Sequence, residues 1–129
     1  MSIQGIKLLL VEDSSVLAER MAELVLEIPE IELVRVVDTE VAALTELRKR
    51  PIHIVVLDLQ LKRGTGFGIL RSMSTLTHKP RTIVLTNYDS ADYEGNAITL
   101  GATLFLDKAH DFPRMPQILA QIVEEIRSE

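Results

Sequence analysis

Residues 52–60 read Ile-His-Ile-Val-Val-Leu-Asp-Leu-Gln, an apolar run broken at its end by Asp58. Positions 54–57 are apolar at every residue, with none of the alternation of a strand that keeps one face in water. Such a run marks a parallel strand covered by helices on both faces. In an open parallel sheet the carboxyl ends of the strands border one crevice, where ligands bind. An acid at the end of the central strand has no packing reason to be there, so Asp58 is the reference point for the rest of the chain.

Four more strand-like runs flank it. Together the five candidates span 7–11, 32–37, 52–57, 82–85 and 102–106, with helix-like periodicity between them and no repeat, linker or low-complexity stretch. Leu17, Met21, Leu24 and Ile28 recur at the spacing of one helical face, and Pro29 closes that helix. Ala43, Leu44 and Leu47 mark a second helix that stops before Pro51. Phe67, Leu70 and Met73 mark a third, after a loop loosened by Gly64 and Gly66. The fourth, 90–100, has few large apolar residues, ends at Gly101, and is expected to be the least firmly anchored. The last begins near Pro113 and Pro116 and buries Ile118 or Leu119, Ile122 and Ile126. Five strands and five helices in alternation predict a flavodoxin-like, doubly wound five-stranded parallel sheet, a three-layer α/β sandwich of (βα)5 form.

The chain has 129 residues and 47% apolar content, enough core for one domain over 1–129. Its 14 basic against 19 acidic residues give a net charge of −5, and no run of Lys or Arg is long enough to follow a nucleic-acid backbone. Direct contact with nucleic acid or an anionic membrane is not expected. The absence of cysteine removes disulfides, thiolate metal sites and thiol catalysis, which fits a reducing, cytoplasmic setting. No apolar stretch approaches the roughly 20 residues of a membrane span.

The strand ends carry the chemistry. Glu12 and Asp13 follow LLLV, Asp58 follows IVVL, Thr86 follows TIVL, and Lys108 closely follows TLFL. Glu12 and Asp13 alone would be acids favoured at a helix N-terminus. With Asp58 they place three carboxylates in one crevice, repelling one another by on the order of 1 to 4 kcal/mol per pair. A cation resolves that repulsion, and Mg²⁺ is the natural candidate, since it takes a few carboxylates, a carbonyl and retained waters. Asp58 is also a competent nucleophile toward phosphorus, giving an aspartyl phosphate. The Lys108 ammonium and the Thr86 hydroxyl can then meet the phosphoryl oxygens. The three histidines, His53, His78 and His110, share no ligand spacing and are read as structural.

The segments LLLVEDSS, VVLDLQLKRGTG, IVLTN and LGATLFLDK together resemble the receiver domain of two-component response regulators, over essentially the whole chain. The resemblance implies that Asp58 is the phosphoacceptor, that Glu12 and Asp13 are Mg²⁺ carboxylates, and that Gln60 gives the metal its backbone carbonyl. It also implies that Thr86 is the switch hydroxyl, Lys108 the phosphate-binding lysine, and Phe105 the aromatic switch residue; as a residue alone, Phe105 reads equally as plain strand. The implied partners are a histidine kinase or phosphotransfer protein and a downstream protein. Three departures stand out. Lys62 replaces a usual proline and leaves that turn less rigid. Ala109 replaces the proline after the lysine, so the cis peptide common in the family is not expected. Asn87 stands where a very small residue is preferred, and with Tyr88 it is expected to border the phosphoryl pocket.

Other functions fit less well. Phosphatases of the haloacid dehalogenase type carry a second acid two residues after the nucleophile, where this chain has Gln60, so efficient enzymatic turnover is not expected. A pseudo-receiver would have lost one of the five site residues. A flavin carrier would have a glycine- or hydroxyl-rich phosphate loop after the first strand. The output is then a protein contact, with an N-terminal receiver fragment of a longer regulator as the alternative.

Overall fold

The computed structural model describes residues 5–87 and 91–129. The strands are β1 (Ile6–Val11), β2 (Ile31–Val37), β3 (Ile54–Leu57), β4 (Arg81–Thr86) and β5 (Leu104–Asp107). The helices are α1 (Ser15–Leu26), α2 (Glu40–Lys49), α3 (Gly66–Met73), α4 (Ala91–Thr99), α5 (Lys108–Asp111) and α6 (Met115–Arg127), with a 3₁₀ turn over Phe112–Arg114. All strand pairs are parallel, in the order β2-β1-β3-β4-β5, so the uniformly apolar run is indeed the central strand.

Alternation along each strand divides the core in two. Leu8, Leu10, Ile54, Val56, Ile83 and Leu85 face α1 and α6, meeting Met21, Val25, Leu119, Ile122 and Ile126. Leu9, Val11, Val55, Leu57 and Val84 face the other way, onto Ala43 and Leu47 of α2, Ile69, Leu70 and Met73 of α3, and Ala97 of α4. The three-layer, flavodoxin-like sandwich follows from these two faces.

Local signals place the ends. Ser14, Thr39 and Thr65 cap α1, α2 and α3 by accepting from Leu17, Ala42 and Gly68 N–H groups. Gly101 takes φ +107° after α4, and the bonds Gly101 N–H to Ile98 O and Ala102 N–H to Ala97 O (both 3.0 Å) close that helix.

Several expectations need correction. The buried face of α1 is carried by Ala18, Met21 and Val25; Leu17 and Leu24 are half-buried, and Ile28 lies beyond the helix. Gly66 does not loosen the loop before α3 but opens that helix, buried, where a Cβ would sit 2.6 Å from the Asp58 carbonyl oxygen. The sequence predicts five helices, but Lys108 begins an additional one-turn helix, so there are six α-helices among the described residues. α4 is thinly anchored as expected, with Ala97 buried and Ile98 46% exposed. No described helix is long and apolar enough to cross a membrane.

Candidate functional site

Glu12 leaves β1 with its N–H bonded to the Val37 carbonyl (2.9 Å), and Asp58 leaves β3 with its N–H bonded to the Val11 carbonyl (3.0 Å). The parallel ladder thus delivers both carboxylates to the same crevice, each residue only 6% exposed. Lys108, on the first turn of α5, reaches across to both: its Nζ lies 2.7 Å from Asp58 Oδ2 and 2.9 Å from Glu12 Oε1. The remaining oxygens accept from backbone, Glu12 Oε2 from Ser14 N–H (3.0 Å) and Asp58 Oδ1 from Gln60 N–H (3.2 Å).

Thr86 closes β4, 1% exposed, in register with Asp107 and so one residue from Lys108. By the pleat it emerges on the face of Val84, whose register partner is Phe105. Phe105 is half-buried and packs on the side of the sheet that faces α2, α3 and α4. The crevice therefore gathers Glu12, Asp13, Asp58 and Lys108, with Gln60 at its rim, Thr86 at the end of the neighbouring β4 and Phe105 one register step back. Asn87 is exposed and, with Ser14, Arg20 and Lys108, lines an adjoining cavity of about 370 Å³. Tyr88 lies outside the described residues. No peptide bond among the described residues is cis, and Ala109 continues the turn that Lys108 begins.

Burial pushes the Glu12 carboxyl above its ordinary value, an effect that the Lys108 ammonium and the Ser14 N–H only partly offset. Burial pulls Lys108 down, but its bonds to Asp58 and Glu12 outweigh that and leave its pKa raised. The ammonium stays charged between two acids. One oxygen from each of Glu12, Asp13 and Asp58 lies within 4.8 Å of the others. Asp13 is half-buried and makes no ion pair among the described residues, so three carboxylates face one ammonium. An all-oxygen set with uncompensated negative charge suits a hard divalent cation such as Mg²⁺.

Two supports of the site escape the sequence reading. Asp107 and Asp111 fix the turn that bears Lys108, and Glu40 grips the loop after Asp58. An Asp three residues ahead of a helical N–H is a capping signal, but nothing in the sequence marks Lys108 as helical.

Comparison with known proteins bears on the family and the fold. A model of the response regulator receiver domain matches residues 8–120. The Fimbriae Z protein of Salmonella typhimurium is 32% identical over 81 residues, covering 63% of this chain and 39% of that protein. The sensory transduction protein LytT of Bacillus anthracis is 28% identical over 124 residues, covering 96% of this chain and 50% of that protein. The chain thus spans half or less of these curated relatives. Among solved structures, the response regulatory domain of MrkE from Klebsiella pneumoniae superposes with a TM-score of 0.87 at 20% identity, covering 95% of this chain and 99% of that one. The response regulator domain of Thermotoga maritima CheB gives 0.83 at 16% identity, covering 98% of each. With the family match extending over most of its length, the chain belongs to the response regulator receiver domains.

Proposed function

We propose that the chain, taken over 1–129 as one receiver domain, is a phosphoryl-accepting signalling switch with Asp58 as acceptor. The supporting observation is the bridge from Lys108 Nζ to Asp58 and Glu12, which holds a nucleophilic carboxylate buried and beside a second acid. An Asp58 oxygen attacks the phosphorus of a phosphohistidine on a kinase or phosphotransfer protein; the P–N bond breaks, and its electron pair stays on the imidazole nitrogen. A bound Mg²⁺ would neutralise phosphoryl charge, and Glu12, Asp13, Asp58 and the Gln60 carbonyl are the groups that would hold it. Lys108, losing its bond to the transformed Asp58 oxygen, turns to a phosphoryl oxygen. The Thr86 hydroxyl donates to another.

Movement of Thr86 toward the phosphoryl group leaves room on its face of the sheet for Phe105, so β5 and the thinly anchored α4 become the surface read by a downstream protein. Gln60 offers no general base for water, in keeping with a slowly reversing switch and not an enzyme of rapid turnover. The setting is cytoplasmic, without direct contact to nucleic acid or membrane.

Intact mass spectrometry with acetyl phosphate tests this reading. One phosphoryl group should add in Mg²⁺, none in EDTA and none to Asp58→Asn. Undiminished labelling of Asp58→Asn sinks the assignment, and an unlabelled wild type that still binds partners would favour a phosphate-independent module.

A further inference from the structure

Glu40 opens α2 and faces the loop that leads away from Asp58. Its N–H donates to the Arg63 carbonyl (3.1 Å), and its carboxylate accepts from the Thr65 N–H (2.9 Å). Thr39, just before it, forms a parallel bridge with Arg63. On the inner side of the same loop Thr65 pairs antiparallel with Gln60, and the Gly66 N–H donates to the Leu59 carbonyl (3.0 Å). One residue of α2 thus grips the outer limb of a loop whose inner limb carries Gln60.

Two glycines border Glu40. A Cβ on Gly64 would lie 2.4 Å from Glu40 Cβ, and one on Gly68 would lie 2.5 Å from both carboxylate oxygens. Two glycines leave the space that this side chain occupies. The carboxylate also sits in the first turn of α2 and against the first turn of α3, where helix dipoles favour negative charge.

We propose that Glu40 is a positioning residue for the metal and phosphoryl site: through Arg63 and Thr65 it fixes the Gln60 backbone, supplying the rigidity that a proline at the position of Lys62 would give. The inference rests on the proposed metal role of the Gln60 carbonyl. It makes α2 a lever on the acceptor loop, since any shift of its first turn moves the two bonds that hold Arg63 and Thr65.

The test is a Mg²⁺ titration of the full chain followed by backbone amide shifts, with amide exchange at Thr65 as a second readout. Glu40→Ala should weaken Mg²⁺ binding about tenfold or more, as loss of an outer support of a metal site does. Thr65 exchange should speed up in the same variant. Glu40→Gln, which keeps an oxygen for the Thr65 N–H, should stay close to wild type in both. Gly68→Ala guards against a variant that merely fails to fold: alanine favours the helix, but its Cβ displaces the flexible end of Glu40, so Mg²⁺ affinity should fall while thermal stability does not. Unchanged affinity in Glu40→Ala overturns the proposal, and so does an equal loss in Glu40→Gln. A wild type with no Mg²⁺ affinity would remove the metal reading itself, and this inference with it.

Discussion

Asp107 and Asp111 hold opposite ends of one helical turn. The Asp107 carboxylate accepts from the His110 N–H, and the Asp111 carboxylate accepts from the Asp107 N–H, both at 2.8 Å. Lys108 is the first residue of that turn, so this reciprocal pair fixes the backbone that carries the ammonium of the site. Ala109, the residue after the lysine, lies inside that turn.

Replacing Asp111 by Ala should cost about 0.5–2 kcal/mol, the usual range for a lost cap, and slow phosphoryl uptake by loosening Lys108. The Asp107 N–H, with the His110 and Arg114 side chains, holds the Asp111 carboxyl below its ordinary 3.8. A folded value below the unfolded one means that the contribution is complete above 3.8 and is lost as pH falls through the lower folded value. Melting of both proteins from pH 7 to pH 3 should therefore show a gap that is constant at higher pH and narrows below 3.8, and a gap that widens on acidification would contradict the assignment.

Lys108→Ala should be more damaging. It leaves Glu12 and Asp58, each 6% exposed, as an uncompensated pair, and breaking a buried pair by removing one partner costs about 3–5 kcal/mol. The Glu12 carboxyl, already raised by burial, would rise further. A folded value above the unfolded one favours the fold below the unfolded value and is lost as pH rises through the folded one. The deficit should be large at pH 7.5 in EDTA, smaller at pH 5, and smaller again in Mg²⁺. Thermal melts that show the same deficit in all three conditions would refute this.

How much of this could be read from the chain depends on how local each signal is. The strands are legible as short, largely apolar runs, while the sorting of Leu8 and Leu10 from Leu9 and Val11 is given only by the packing, since all four are apolar. The apolar runs start β3 and β5 two residues early, since Ile52 and Ala102 are buried outside the strands and nothing in their apolar character tells strand from approach. The convergence of Glu12, Asp58 and Lys108 was legible because parallel topology alone brings strand ends together. The Glu40 grip on Thr65 was not. It joins positions 25 residues apart through a side chain and a backbone N–H, and its trace, glycine at 64 and 68, reads equally well as loop flexibility.

The His53 ring is held against the β1 backbone. Its Nδ1 accepts from the Lys7 N–H at 2.9 Å, which assigns the ring proton, when neutral, to Nε2. Burial, with the nearby Lys7 charge, holds its pKa below 6.5. With the folded value lower, its stabilising contribution is complete above 6.5 and is lost as pH falls through the folded value. His53→Leu should lose about 1 kcal/mol at pH 7.5, the net worth of a typical hydrogen bond. The difference from wild type should shrink toward pH 5 in urea titrations. A difference that grows on acidification would show that the ring is not held as an acceptor.

Asp13 is the one carboxylate of the cluster with no cation beside it among the described residues. Glu12, Asp13 and Asp58 are close in the fold and far apart in the unfolded chain, so their repulsion without metal weighs on the folded state alone. Lys108 already compensates Glu12 and Asp58, which leaves Asp13 as the acid whose removal relieves charge without orphaning a partner. Asp13→Ala should therefore be more stable than wild type in EDTA by about 1 kcal/mol, a rise of about 2–8 °C for a domain of this size. In millimolar Mg²⁺ the order should narrow or reverse, because a cation that binds only the folded wild type stabilises it by mass action. Phosphoryl uptake should fall in the same variant, the trade expected where a site is built against stability. Differential scanning calorimetry in EDTA and in Mg²⁺ decides the matter. An Asp13→Ala protein that melts below wild type in EDTA would make Asp13 a structural acid at the start of α1, and the charge argument for a metal at this site would fail with it.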